Sequence, residues 1–131
     1  MTGASRTNSG LPLGERRFRI LVSRALRRLP GSIRERLSNV AIIIEEEPTA
    51  DHLAEAGLEP DETLYGLYTG IPLTERTSAY GMVLPDRITI FRRPLLEACQ
   101  SEAELMDEVR RTVLHEIGHF FGLGEAELEE I

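Results

Sequence analysis

Apolar residues change their spacing along this chain, and each change marks an element. Over residues 15–29 the apolar positions Phe18, Leu21, Val22, Ala25, Leu26 and Leu29 recur at three-and-four spacing with arginines between them. That is an amphipathic helix. Pro30 opens a short second helical piece over residues 32–37. Residues 39–45 (NVAIIIE) are continuous and β-branched, which predicts a strand covered on both faces and central in its sheet. Glu45-Glu46-Glu47-Pro48 ends that strand as a solvated terminus, and Thr49 or Asp51 can cap a short helix running to Gly57. Residues 63–69 (TLYGLYT) form a second strand in which Gly66 is a weak point or a place of close backbone approach. Residues 70–85 are a long connection with Pro72, Gly81 and Pro85, a candidate cleft wall. Arg87 to Phe91 alternates as a third strand, and a short helix follows over residues 94–99. Ser101 with Glu104 three residues on starts a long helix that runs until Gly122, a natural C-cap. The order of elements is that of an α+β protein with a small mixed sheet of about three to four strands.

Inside the long helix lies His115-Glu116-Ile117-Gly118-His119. Residues four apart on a helix stand one above the other, so the two imidazoles can share one metal ion with Glu116 beside them. Zinc held in this way lowers the pKa of a coordinated water, and Glu116 can take that water's proton as it attacks a carbonyl. At about 100° per residue, Met106, Val109, Val113, Leu114, Phe120 and Phe121 fall on one wide face around Ile117, and the histidines fall about 160° away from it. They are therefore not core residues. Gly118 costs a helix about 1 kcal/mol relative to alanine, which is best explained by close packing against the backbone there. A catalytic zinc wants three protein ligands. Glu125 lies ten residues after His115, beyond Gly122 and Gly124, and a glycine reversal can return it to the same metal.

Size and charge narrow the setting. At 131 residues with 41% hydrophobic and 28% charged positions, the chain is one soluble domain with a core of its own. We expect a tail over residues 1–14 and a single domain over residues 15–131. The longest apolar stretch, residues 40–44, is far short of a membrane span, so no membrane partner is expected. One cysteine, Cys99, excludes an internal disulfide, and it lies in an apolar stretch with Leu95 and Leu96 as a small buried hydrophobe. The first residues lack the order of a signal peptide, which makes the cytoplasm of a bacterial-type cell the expected location. Residues 1–36 hold nine arginines against Glu15 and Glu35, a balance of +7. The remaining 95 residues carry six arginines against twenty carboxylates, or −14. That acidic part should repel nucleic acid, and the arginines of the first helix are read as its solvated face.

The pattern H-E-x-x-H-x-x-G-x-x-E resembles the metzincin motif with glutamate in place of the third histidine. The resemblance is closer to the minimal zincin-like metallopeptidase family of small bacterial proteins. It is carried by residues 66–76 (GLYTGIPLTER), 84–92 (LPDRITIFR) and 115–128 (HEIGHFFGLGEAEL), and it covers about residues 37–131. The resemblance implies a small zincin core with an active-site helix lying on a mixed sheet. It also implies a Zn2+ site on His115, His119 and Glu125, with Glu116 as general base. The activity implied is that of a zinc metallopeptidase acting on a peptide or protein substrate. Two features depart from larger zincins: no methionine follows Glu125 to form a turn beneath the metal, and no residues remain to build a lower lobe. A ligand would then lie in a shallow groove beside a strand, walled by Thr89 and Phe91 or by the 70–85 loop. Tyr80 and Arg76 on that loop are the groups available to stabilise an oxyanion or contact substrate. The alternative function is a zinc-binding regulatory or interaction module without catalysis.

Overall fold

The computed structural model describes residues 10–70 and 86–121, the last two by backbone alone. Five helices and three strands follow one another as α1 (Glu15–Arg27), α2 (Gly31–Arg36), β1 (Val40–Glu45), α3 (Ala50–Glu55), β2 (Gly66–Thr69), β3 (Asp86–Phe91), α4 (Arg92–Ala98) and α5 (Glu102–Phe121), with a 3-10 turn at Leu37–Asn39. The fold is α+β, as the patterning predicts.

The sheet has the order β1-β3-β2. β1 runs parallel to β3 with Val40 opposite Asp86, and β2 runs antiparallel to β3 with Gly66 opposite Ile90. Among the described residues β1 is thus an edge strand and β3 the central one, which corrects the central placement expected for β1. The apolar run of β1 reflects cover on its two faces, and face cover says nothing about how many neighbours a strand hydrogen-bonds.

The two faces of the sheet have different partners. Ile88 and Ile90 of β3 are fully buried in a cluster with Phe18, Leu21, Val22 and Ala25 of α1 and with Leu105, Val109, Val113 and Ile117 of α5. Val40, Ile42 and Ile44 of β1 pack on that same cluster. The alternate residues Thr89 and Phe91 are buried on the far face, where the Phe91 ring meets His52 of α3 at 4.9 Å. Thr49 caps α3, accepting from the His52 backbone N–H while His52 Nδ1 accepts from the Thr49 N–H.

α1 packs its apolar stripe along α5 and keeps its arginines outside. Near the start of both helices Arg17 Nε and Nη2 donate to the two carboxylate oxygens of Glu102, at 3.0 and 2.6 Å. Arg92 and Arg93 of α4 pair with Glu46 and Glu47, so the acidic run after β1 is an ion-paired surface turn. Residues 10–14, assigned above to the tail, run against α4: the Leu11 N–H donates to the Leu96 carbonyl at 2.9 Å, and Leu11 and Leu13 pack on the core.

The approach of α5 to the sheet is set at Gly66. A Cβ built there would lie 2.6 Å from Thr112 Cγ2 and 3.2 Å from the Thr89 carbonyl oxygen. The glycine is required by the closeness of the helix, the second of its two sequence readings.

Two outcomes follow. Gly66→Ala should destabilise the fold by about 1–3 kcal/mol in urea unfolding, and adding Thr112→Ser, which removes the colliding methyl, should recover much of that loss. The hydrogen bond from Arg17 holds the Glu102 carboxyl below its ordinary range, so its stabilisation is present above the unfolded carboxylate pKa and lost as pH falls through the folded value. The stability gap between wild type and Glu102→Gln should therefore narrow on acidification when unfolding is measured across pH.

Candidate metal and catalytic site

α5 has one face committed to the core and another left to chemistry. Leu105, Met106, Val109, Thr112, Val113 and Ile117 are buried, whereas His115 and His119 are exposed and Glu116 is half-buried. Gly118, between the histidines, is also buried. The two imidazoles lie side by side, with ring centroids 4.4 Å apart and planes inclined by 63°. Two imidazoles that close, free of the core and one helical turn apart, are a donor pair suited to zinc. Among the described residues no group of three or more metal-binding side chains is assembled. Glu125, the expected third ligand, lies outside the described residues, as do Tyr80 and Arg76.

Glu116 is placed by the sheet. In the β2–β3 ladder the Phe91 N–H donates to the Tyr65 carbonyl, so odd-numbered residues of the 65–69 segment face β3 and the even-numbered ones turn their N–H groups away from it. Tyr68 is one of the latter. Its N–H donates to Glu116 Oε1 at 2.9 Å. The spacing explains the match: two strand residues advance about 6.6 Å and one helical turn about 5.4 Å, so seating Thr112 on Gly66 brings Glu116 to Tyr68. The Tyr68 hydroxyl in turn donates to Asp86 Oδ2 at 2.8 Å, tying the end of β2 to the start of β3.

Beside this carboxylate is a cleft of about 340 Å³. Residues 63–66 form one wall, and Glu108, Arg111, Thr112, His115 and Glu116 of α5 form the other. Thr89 and Phe91 do not line it. They are buried on the opposite face of the central strand, which corrects the expected groove walls; the 70–85 alternative lies almost wholly outside the described residues. Residues 63–65, Tyr68, Thr112 and Glu108 belong to the site without any motif that announces them. The sequence signal nearest to them is Gly66, because a strand glycine is one mark of another part of the molecule approaching closely.

The single thiol takes no part. Cys99 is buried, 1% exposed, and desolvation, with the carboxylates of Glu104 and Glu108 nearby, pushes it up to about 11.

A long helix bearing the histidine pair, seated on a small mixed sheet with its glutamate against the edge strand, defines the zincin-like class of proteins. A model of the zincin-like metallopeptidase family matches residues 37–131, and the chain belongs to that family. No curated protein matches the chain. Among solved structures it is similar to a conserved hypothetical protein from T. thermophilus, with 24% identity, coverage of 83% of this chain and 94% of that one, and a TM-score of 0.54. At that identity the likeness speaks for the fold. No described helix is long and apolar enough to cross a membrane.

Cys99 should remain unmodified by a thiol reagent at pH 8 in the folded protein and react fully once the chain is unfolded in denaturant, as followed by mass spectrometry.

Proposed function

We propose that this protein is a zinc-dependent hydrolase of peptide or related amide bonds, with zinc on His115, His119 and Glu125 and with Glu116 as general base. The observation that carries the reading is the placement of Glu116. Glu116 follows His115 on α5 and lines the same cleft, with Oε1 held by the Tyr68 N–H and with no hydrogen bond to Oε2 among the described residues. A zinc ion bound there would supply Lewis acidity, polarising a substrate carbonyl and acidifying a water.

The protein's own residues then have defined tasks. Glu116 Oε2 takes a proton from the water as the water oxygen adds to the carbonyl carbon. The same oxygen returns that proton to the leaving nitrogen as the C–N bond breaks. Tyr68 keeps the carboxylate from rotating away between the two transfers. Tyr80 and Arg76 are the candidates for contact with the substrate oxygen. The substrate is a peptide or protein, and the chemistry requires neither a membrane nor a nucleic acid. A cytoplasmic location is part of this reading.

The second reading is a zinc-binding regulatory or interaction module. It is favoured by one feature of the site: the base is hydrogen-bonded to the strand edge, an arrangement that would also serve simply to fasten the helix.

Zinc content and turnover separate the two. Protein purified without chelator should carry one zinc per chain by elemental analysis, and His115→Ala, His119→Ala and Glu125→Ala should each lose most of it. Glu116→Gln should keep the zinc and lose hydrolysis of a diverse peptide library by about a hundredfold or more. Zinc-loaded wild type that cleaves nothing in that library would favour the interaction module, and wild type without zinc would overturn both readings.

A further inference from the structure

The cleft beside Glu116 carries a second carboxylate. Glu108, two helical turns earlier on α5, lines the same cleft, and its side chain is only 24% exposed. Its partner among the described residues is Arg111, bonded at 2.7 Å, whose side chain is 67% exposed. The pair is therefore asymmetric: both residues line the cleft, but the carboxylate is largely covered and the guanidinium is mostly open to solvent. The neighbouring phenol reports the same charge, since burial first and the Glu108 carboxylate second raise Tyr65 above the ordinary tyrosine value. An exposed ion pair three residues apart on a helix is among the weakest that proteins make, so a cation arriving through the cleft can take over Glu108 at small cost.

We infer that this cleft is a subsite for a basic side chain of a bound peptide, and that Glu108 is the residue that selects it. The inference rests on the reading of Glu116 and the histidines as the reacting centre only for its consequence in catalysis; the binding preference stands without it. The volume of about 340 Å³ accommodates one long side chain with its adjoining backbone. A guanidinium or ammonium seated there replaces Arg111 at Glu108 and releases Arg111 to water. An acidic side chain reaching for Arg111 would instead pass two carboxylates, Glu108 and Glu116, on the same wall. The long-range field agrees in sign, because the whole chain carries a net −7 at pH 7 and draws basic peptides toward the molecule.

The test uses zinc-loaded full-length protein in the Glu116→Gln background, so that bound peptide is not consumed. Capped hexapeptides of glycine and alanine, with one arginine, citrulline or glutamate moved through the positions, are titrated by calorimetry. Arginine should be preferred over citrulline by about fivefold at one position of the peptide, the worth of one partly buried ion pair. Glu108→Gln should abolish that preference, Arg111→Ala should strengthen it, and Glu108→Arg should transfer it to glutamate. A preference for glutamate that Arg111→Ala removes would overturn the inference and make Arg111 the selector. So would equal binding of all three peptides, or binding of none. If wild-type protein cleaves peptides with no Glu108-dependent charge preference, the inference falls while the hydrolase reading stands. If it cleaves nothing yet shows the Glu108-dependent preference, the inference stands and the hydrolase reading falls.

Discussion

Everything around the candidate centre depends on how closely one helix can approach one strand. α5 and β2 meet at Gly66 and Thr112, where the strand has no side chain and the helix presents a methyl. A larger residue at 66 would move the helix outward, and the cost would extend beyond packing. The contact also fixes the register of Glu116 against the Tyr68 N–H, 48 residues away in sequence. An outward shift of much more than about 0.5 Å would carry this 2.9 Å contact beyond the range of ordinary N–H···O hydrogen bonds. The carboxylate, the wall of the cleft and the orientation of the imidazole pair are thus consequences of a missing Cβ on the strand.

The rest of the molecule holds that contact in place. α5 is clamped between the sheet and α1, with Leu105, Val109, Val113 and Ile117 at zero exposure on the clamped side. Burying side chains of this size contributes about 1.5–3 kcal/mol each relative to exposure, which makes the helix a rigid beam for whatever its other side carries. Arg17 and Glu102 add a two-point link at the end of the helix far from the histidines. α1 lies before the segment matched by the family model, yet its Phe18, Leu21, Val22 and Ala25 are as buried as any residues of the core. In this chain the arginine-rich segment is therefore structural on its apolar side, whatever its exposed side meets.

Periodicity is enough to order the elements and to separate the core face of α5 from its histidine face, and a glycine within a strand pattern flags residue 66 as either a weak point or a contact. These features are local: each follows from spacing within about two turns or a few strand residues. Strand placement is not local. The run of residues 40–44 signals cover on two faces, and only pairing with β3 shows that β1 ends at an edge. The expected groove walls fail for a related reason. Thr89 and Phe91 alternate correctly, but which face of β3 they take depends on α5 seating against Ile88 and Ile90. Residues 63–65 carry no motif at all, and they join the cleft because β2 continues back along α5 toward Glu108. Glu125, Tyr80 and Arg76 lie outside the described residues, so Glu125 rests on the motif and the family, and Tyr80 and Arg76 on their place in the 70–85 connection.

Geometry along α5 also limits how a basic peptide could use both ends of the cleft. Glu108 and Glu116 are eight residues apart on one continuous helix, a separation of about 12 Å. An extended peptide advances about 3.3 Å per residue, and an arginine or lysine side chain can cover a large part of the remaining distance. A basic side chain paired with Glu108 would then place the bond facing Glu116 within one or two residues of that position. A more distant basic residue would overshoot the carboxylate, and none at all would leave Glu108 with Arg111. Spacing on a single rigid helix would therefore convert a charge preference at one end of the cleft into a positional preference at the other.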